Sequence, residues 1–357
     1  MEANFLLYGA YGYTGKLMTK EAVRRGLRPT LAGRDAEKLA AWAKENNLPY
    51  RVIALSDRAA LEAELAHFPL VVHAAGPYSK TYRPMVEACL ATQTHYVDIT
   101  GEVDVFEGIA ALDQAAKDKG VVLLPGAGFD VVPTDCLASF LAKEMPDAHA
   151  LELAFRGGGG PSRGTARTAV ENLGAASKAR INGKVVEVPL GRKTRTVPFM
   201  SKDSFVMTIP WGDVSTAYYT TGIPNIETYM GIPPKSFRYV KWQKNIGWFL
   251  RMDWVRNIIA RRVDRGPSGP SDATRAASTS QIWGLVQNAQ GETKEARLEV
   301  PNGYTLTAQT SIEIAVRVLR GDLKPGFWTP AGAFGADFIL DFGGKREKLD
   351  EKGWVLA

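Results

Sequence analysis

The sequence predicts an α/β protein: a doubly wound parallel-sheet domain at the N-terminus, then an α+β domain built on an antiparallel sheet. Three observations lead there. Up to about residue 149, short apolar runs alternate with helix-compatible runs. The runs "LVVHAAG" and "GVVLLPG" are nearly continuous in apolar residues, as strands covered on both faces are. After Ala150 the chain turns to β-branched and aromatic stretches punctuated by Gly and Pro, the signature of antiparallel strands.

In order, the expected strands are Asn4–Gly9, Pro29–Gly33, Tyr50–Leu55, Leu70–Ala75, His95–Ile99 and Val121–Pro125. The expected helices between them are Thr14–Arg25, Ala36–Asn46, Ala59–Ala66, Arg83–Ala91, Val105–Lys119 and Pro133–Glu144. Such βαβα alternation argues for a parallel, doubly wound sheet. Beyond it, "ALELAF", "GKVVEVPLG", "SFVMTIPWG" and "STAYYTTGIP" read as strands, and a hairpin is expected to turn near Asn288–Gly291. "RGPSGPSD" at 265–272 is a loop, and "TSIEIAVRVLRG" and "PAGAFGADFIL" read as helices. The expected division is residues 1–149, 150–301 and a segment 302–357 that returns to the first domain.

Length and composition agree with this division. A chain of 357 residues exceeds one ordinary core. No run of about eighteen apolar residues is present, so no membrane span is expected. The N-terminus lacks the basic region of a signal peptide and runs directly into the first strand. Two isolated cysteines, Cys89 and Cys136, suit a reducing, cytoplasmic setting. His67, His73, His95 and His149 lack ligand spacing, so packed or surface roles are expected and no metal site. The net charge is +6 and is concentrated between Arg156 and Arg265, a surface that favours an anionic small molecule, an acidic carrier or an anionic lipid. A solvated face with no partner is the competing reading. No nucleic-acid-binding motif accompanies the charge.

The stretch "FLLYGAYGYTG" carries Gly9, Gly12 and Gly15 between a strand and a helix start. Glycines there permit a tight turn, close approach to a pyrophosphate and close helix–strand packing, with the helix N-terminus facing the phosphate. It is no P-loop, because Leu17 follows Gly15–Lys16 where Ser or Thr is needed. The second strand ends "TLAGRD". Arg34 suits the 2′-phosphate of NADP, whereas Asp35 is accounted for as a helix cap.

Further segments fall at carboxyl ends of strands, where open α/β sheets bind ligands. They are "AAGPYSKTY", "YVDITGE" and "PGAGFDVVPTD". Gly76–Pro77 would pass the nicotinamide ribose, with Tyr78 stacking or donating a hydrogen bond. Asp98, Glu102 and Asp130 are carboxylates at the same edge, for proton handling or for capping and bracing. No tyrosine has a lysine four residues on, which argues against the short-chain dehydrogenases.

Together "GAYGYTG", "LAGR", "HAAGPY", "HYVDITGE" and "PGAGFDVVPTD" resemble the saccharopine dehydrogenase-like oxidoreductases, and among them the trans-acting enoyl reductases. The likeness continues through "GGGPSRGTARTAVE", "GPSGPSDATRA" and "YTLTAQTSIEIAVRVLRG". It implies a Rossmann domain that binds NADP(H) in preference to NAD(H), and a middle substrate and dimerisation domain. Gly9, Tyr11, Gly12, Tyr13, Thr14, Gly15, Arg34, Ala75, Gly76, Pro77 and Tyr78 would contact the dinucleotide. Gly128 and Phe129 would contact it too, and with Asp130 they would line the cleft between domains. Ser162, Arg163, Thr165 and Arg167 would form an anion site for the substrate, against a plain loop-into-helix reading.

The expected activity is hydride delivery to an activated C=C bond, with Tyr78, Asp98 and Asp130 as proton-handling candidates. An imine or amino-acid substrate, and a non-catalytic dinucleotide binder, are the alternatives. A homodimer is the expected assembly. The aromatic and basic stretch 236–266 reads as a lid, a membrane or carrier contact, or ordinary packing.

Overall fold

The computed structural model describes residues 4–357, and of residues 241–246, inside one helix, only the backbone course. Two compact units result: residues up to Phe129 with Tyr304–Ala333, and Asp130–Gly303 with Phe334–Ala357.

The first unit holds β1 (Leu6–Tyr8), β2 (Thr30–Gly33), β3 (Tyr50–Val52), β4 (Leu70–His73), β5 (His95–Asp98) and β6 (Val122–Leu124). A two-residue strand, Gly326–Phe327, extends the β6 edge. All pairings are parallel, in the order Gly326–Phe327, β6, β5, β4, β1, β2, β3. The strand order reverses between β1 and β4, the topological switch point where such sheets bind ligands. β1, β2, β4 and β6 are buried along their whole length, whereas the edge strand β3 is exposed. That burial is why their sequences read as apolar runs.

The helices are α1 (Tyr13–Arg24), α2 (Ala36–Asn46), α3 (Arg58–Leu65), α4 (Tyr78–Thr92), α5 (Val103–Ala110) and α6 (Asp113–Lys119). Two differ from expectation. The long helix expected over Val105–Lys119 is broken into α5 and α6 at Ala111–Leu112. α4 begins at Tyr78, a turn before Arg83, with Pro84 inside it. The Glu102 carboxylate accepts from Tyr78 N (2.8 Å) and Ser79 N (3.1 Å), so a distant residue supplies the cap that the local sequence lacks.

The second unit opens with α7 (Val132–Glu144). Its sheet contains β7 (Ala148–Arg156), β8 (Ser177–Ile181), β9 (Lys184–Val188), β10 (Thr194–Pro198), β11 (Asp203–Thr208), β12 (Asn225–Gly231), β13 (Thr279–Asn288) and β14 (Thr293–Pro301). Lys345–Asp350 and Gly353–Leu356 add two more strands beyond β14. The sheet is mixed: β7 and β12 pair in parallel, and the other pairings are antiparallel. The β13–β14 hairpin turns at Asn288, whose side chain accepts from Gln290 N and Glu292 N, with Gly291 at φ +86°.

Four expectations change here. "STAYYTTGIP" is mostly helical: α8 runs Arg163–Glu171 and α9 runs Asp213–Thr221. α9 buries Val214, Ser215, Thr216 and Ala217 and closes on Gly222 at φ +75°, so burial overrides the strand propensity of its Thr and Tyr residues. "PAGAFGADFIL" is a short helix, Pro330–Phe334, and a 3₁₀ turn, Phe338–Phe342, separated by Gly335 at φ +83°. The expected boundary at 149 lies instead at 129–130. α7 belongs with the second sheet, its Leu137 and Leu141 lying where a Cβ on Gly284 of β13 would fall. The C-terminal segment does not return to the first domain as a whole, because Lys345–Leu356 supplies strands to the second sheet.

Candidate functional site

The β1–α1 turn sits at the switch point. Gly9 has φ +83°, and a Cβ there would stand 2.8 Å from the Ala74 carbonyl carbon and 2.9 Å from Ala75 Cβ. Glycine is therefore required twice over at this position, by conformation and by the closeness of the segment after β4. A Cβ on Gly15 would collide with the Gly9 carbonyl oxygen and lie 2.9 Å from Ala10 Cα. Gly12 is the N-cap of α1 and caps it with no side chain. No acidic residue occupies the first turn. The helix start formed by Tyr13, Thr14 and Gly15 thus suits an anion by its dipole and amide donors.

Around this turn lie the other residues expected to hold a dinucleotide. The Tyr11 ring covers the end of β2, with Cε1 2.5 Å from where a Gly33 Cβ would be. Arg34 follows, exposed, with no hydrogen bond or ion pair among the described residues. Asp35 caps α2 by accepting from Lys38 N (3.1 Å) and pairs with Lys38 Nζ (2.6 Å), contacts that hold its carboxyl below the usual range. Ala75, Gly76 and Pro77 form the segment after β4, with a cis Gly76–Pro77 bond. The Tyr78 hydroxyl donates to the His73 carbonyl (3.2 Å), and Thr81 Oγ1 donates to the Ala75 carbonyl (2.8 Å).

Asp98 lies at the carboxyl end of β5, as expected. It is fully buried. Its carboxylate accepts from the Tyr96 hydroxyl (2.6 Å), Thr100 N (2.9 Å) and Gly126 N (2.9 Å). Tyr96 Oη also lies 3.2 Å from His73 Nδ1. Burial pushes Asp98 up to about 6 despite those hydrogen bonds, and holds His73 down to about 3. His73, Tyr96 and Asp98 form a buried polar chain that ties β4, β5 and the loop after β6 together. Among the two readings of Asp98 and Glu102, proton handling or bracing, the geometry is that of bracing.

Gly128 and Phe129 are positioned by the helix Gly303–Leu319. Phe129 N donates to Thr307 Oγ1 (2.9 Å), Thr310 Oγ1 donates to the Ala127 carbonyl (2.7 Å), and Gly128 leaves the space that Thr307 Cγ2 fills. Tyr304 of the same helix meets Tyr13 edge-on with centroids 5.1 Å apart. Sequence reasoning missed Tyr304, Thr307 and Thr310. Their signal was weak: a chain segment 175 or more residues away, with polar residues on an otherwise buried helix.

In the second unit, Asp130 is half-buried, and its surroundings push its carboxyl up to about 7. Asp213 is fully buried and held well above the carboxylate range by desolvation, then by Asp135. Thr134 Oγ1 donates to Asp213 (2.8 Å), and Thr220 Oγ1 donates to Asp135 (2.6 Å). Asp213 and the two threonine–carboxylate pairs were not singled out in the sequence.

The segment Ser162–Arg167, expected to bind an anion, is engaged internally. Ser162 Oγ caps α8 by accepting from Thr165 N (3.2 Å) and lies 3.1 Å from Thr165 Oγ1. Arg163 donates to the Gly266 carbonyl (2.7 Å). Arg167 forms a two-pronged pair with Asp264 (2.6 and 2.5 Å). An anion there would have to displace a carboxylate, so these four residues brace α8 against residues 264–268.

A parallel sheet with a glycine-cornered turn and helix start at its switch point defines the first unit as a dinucleotide-binding domain of the Rossmann class. Comparison with known proteins sharpens that class. Residues 5–124 match the family model described as the saccharopine dehydrogenase NADP binding domain. That match assigns residues 5–124, within the first unit, to this family of NADP-binding domains. The chain is 32% identical over 142 residues to a trans-acting enoyl reductase of Mycobacterium tuberculosis, covering 38% of this chain and 34% of that one. It is 24% identical over 404 residues to a lipid droplet localized protein of Caenorhabditis elegans, covering 94% and 95% of the two chains. The match thus spans less than half the length of its mycobacterial relatives. Among solved structures, saccharopine dehydrogenase (L-Glu forming) of Saccharomyces cerevisiae has a similar fold, with TM-score 0.65 at 14% identity over 97% of this chain and 100% of that one.

Proposed function

We propose that the protein is an NADP-dependent reductase that delivers hydride to an activated C=C bond of an acyl-type substrate. One observation carries the cofactor half: Arg34 stands exposed at the end of β2, while the adjacent Asp35 is committed to capping α2 and pairing with Lys38. An acidic residue free to hold the ribose 2′-hydroxyl would mark NAD, and an arginine there suits the 2′-phosphate. The glycine cradle also fits a dinucleotide, since the space at Gly9 and Gly15 is too tight for any Cβ. Gly9, Tyr11, Gly12, Tyr13, Thr14 and Gly15 would hold the pyrophosphate side. Ala75, Gly76, Pro77, Tyr78, Gly128 and Phe129 would hold the nicotinamide side. When bound, the nicotinamide supplies the hydride.

This chain's own residues orient the substrate and manage one proton. Asp130, pushed up to about 7, is the candidate that can hold a proton near neutral pH. The buried, fully hydrogen-bonded Asp98 and the carbonyl-bound Tyr78 hydroxyl serve position instead. The names of the mycobacterial relatives support an enoyl substrate, and the family name supports a C=N substrate of amino-acid type as the second reading. The two buried free cysteines accord with a cytoplasmic location, and a homodimer is the assembly to test by light scattering.

The decisive experiment is titration with NADPH and NADH, followed by NADPH consumption with an enoyl thioester and with an imine. Arg34→Ala is expected to weaken NADPH about 30- to 100-fold, the worth of one charge-assisted phosphate contact, and to leave NADH unchanged. An unaltered preference for NADPH in that variant would overturn the role of Arg34. Tight NADPH binding without turnover of either substrate would favour a dinucleotide-binding protein that is not an enzyme.

A further inference from the structure

The helices Pro234–Leu250 and Asp253–Asp264 form a hairpin whose outer corner is apolar and whose flank is cationic. The corner shows Trp248 (62% exposed), Trp254 (55%) and Ile258 (58%), with Phe249 and Met252 beside them. The rings form a chain, Trp248 to Phe249 at 6.0 Å and Phe249 to Trp254 at 5.5 Å. Trp254 and Ile258 are four apart on one helix face, which continues into Arg261, Arg262 and Arg265. Burying such rings normally stabilises a fold, so a cluster left in water calls for an occupant.

The opposite side of the hairpin is fastened down. Phe237 meets Phe205 of the second sheet at 5.6 Å. A Cβ on Gly174 would stand 2.6 Å from the Gly247 carbonyl, so glycine lets the two backbones touch. Val255 is buried, Arg256 donates to the Leu173 carbonyl (3.0 Å), and Asp264 is neutralised by Arg167. Among the described residues Asp253 has no ion pair, and it stands against exposed Arg251, Arg261, Arg262 and Arg265.

We propose that this corner docks on an anionic lipid surface, with Trp248, Trp254 and Ile258 entering the headgroup–acyl boundary and the arginines pairing with phosphates. Two features favour lipid over a protein. The exposed apolar residues gather at a helix–helix corner directly beside exposed arginines. Tryptophan and arginine in this arrangement match the interface chemistry of a bilayer, where the ring sits at headgroup depth and the guanidinium reaches outward. No helix among the described residues is long and apolar enough to cross a membrane, so the contact is peripheral.

The test is co-sedimentation of the full chain with phosphatidylcholine vesicles, with and without phosphatidylglycerol. Binding is expected with phosphatidylglycerol only, together with quenching of tryptophan fluorescence by brominated acyl chains. Trp248→Ala/Trp254→Ala is expected to weaken binding about tenfold and abolish the quenching, with an unchanged melting temperature because both rings are exposed. Arg261→Glu/Arg262→Glu is expected to weaken binding by at least about tenfold. Absence of vesicle binding overturns the proposal. So does binding that survives the tryptophan replacement without quenching, which is adsorption by charge alone. Capture of an acidic protein without vesicle binding would make the corner a protein interface and likewise overturn it.

Discussion

Two glycine-rich loops in this chain each run from a strand into a helix, and they have opposite fates. In the first, Gly9–Gly15, the glycines are forced by crowding, and α1 starts on Gly12 with no side-chain cap. In the second, Gly157–Gly160, crowding falls on Gly158, 2.9 Å from Ser278 Cβ, while a Cβ on Gly160 would meet nothing. There α8 starts on Ser162, which caps it, and the cations of its first turns are bound to Gly266 and Asp264. Local sequence gives both loops the look of an anion site. What separates them is whether the protein has already satisfied the helix start.

The contrast can be broken most directly at its tightest point. Gly15→Ala places a methyl against the Gly9 carbonyl and is expected to cost at least about 3 kcal/mol and to abolish dinucleotide binding, read by thermal unfolding and NADPH titration. Next in size is Asp98→Ala, which orphans Tyr96, Thr100 and Gly126 of the brace beneath the first loop. A loss of about 3 kcal/mol in chemical denaturation is expected, and a loss under about 1 kcal/mol would remove Asp98 from the brace. The second loop should respond less. Ser162→Ala is expected to cost about 1 kcal/mol by removing the cap, with NADPH affinity intact. If Asp264→Ala leaves stability nearly unchanged but creates phosphate binding at Arg167, the second loop is an anion site held closed by that carboxylate. If it creates none, the contrast stands.

A pH measurement sharpens the description of the brace. The folded protein refuses a proton at His73 down to about 3, whereas the unfolded chain accepts it near 6.5, so this group lowers stability as pH falls between those values. Asp98 acts in the opposite sense. It keeps its proton up to about 6 when folded but to 3.8 when unfolded, so it lowers stability as pH rises through that window. The slopes oppose each other, and Asp98→Asn should therefore lose melting temperature more steeply than the native chain on acidification from about 6 to 4.

Much of the first domain was legible because a buried parallel sheet needs continuous apolar strands, and all six expected strands are present in shortened form. The glycine turn was legible for a related reason, since tight backbone approach admits one residue type. Legibility failed where distant groups decide local structure. Glu102 starts α4 a turn early, packing against α7 turns a β-prone segment into α9, and Thr307 sets the loop at Gly128–Phe129. The internal partners of Arg163 and Arg167 were illegible for the same reason, because Gly266 and Asp264 lie about a hundred residues on.

By itself, then, the sequence determined what depends on period and on steric necessity: the parallel domain, its glycine-cornered switch point and the change of architecture after it. These are properties of neighbours in the chain. The tertiary structure alone decided which polar groups remain available. It consumed Asp98, Glu102, Ser162, Arg163 and Arg167 in internal hydrogen bonds and left Arg34 exposed. The physical reason is that a buried donor or acceptor must find a partner at hydrogen-bond distance, and that partner comes from whatever the fold brings near, at any separation along the chain.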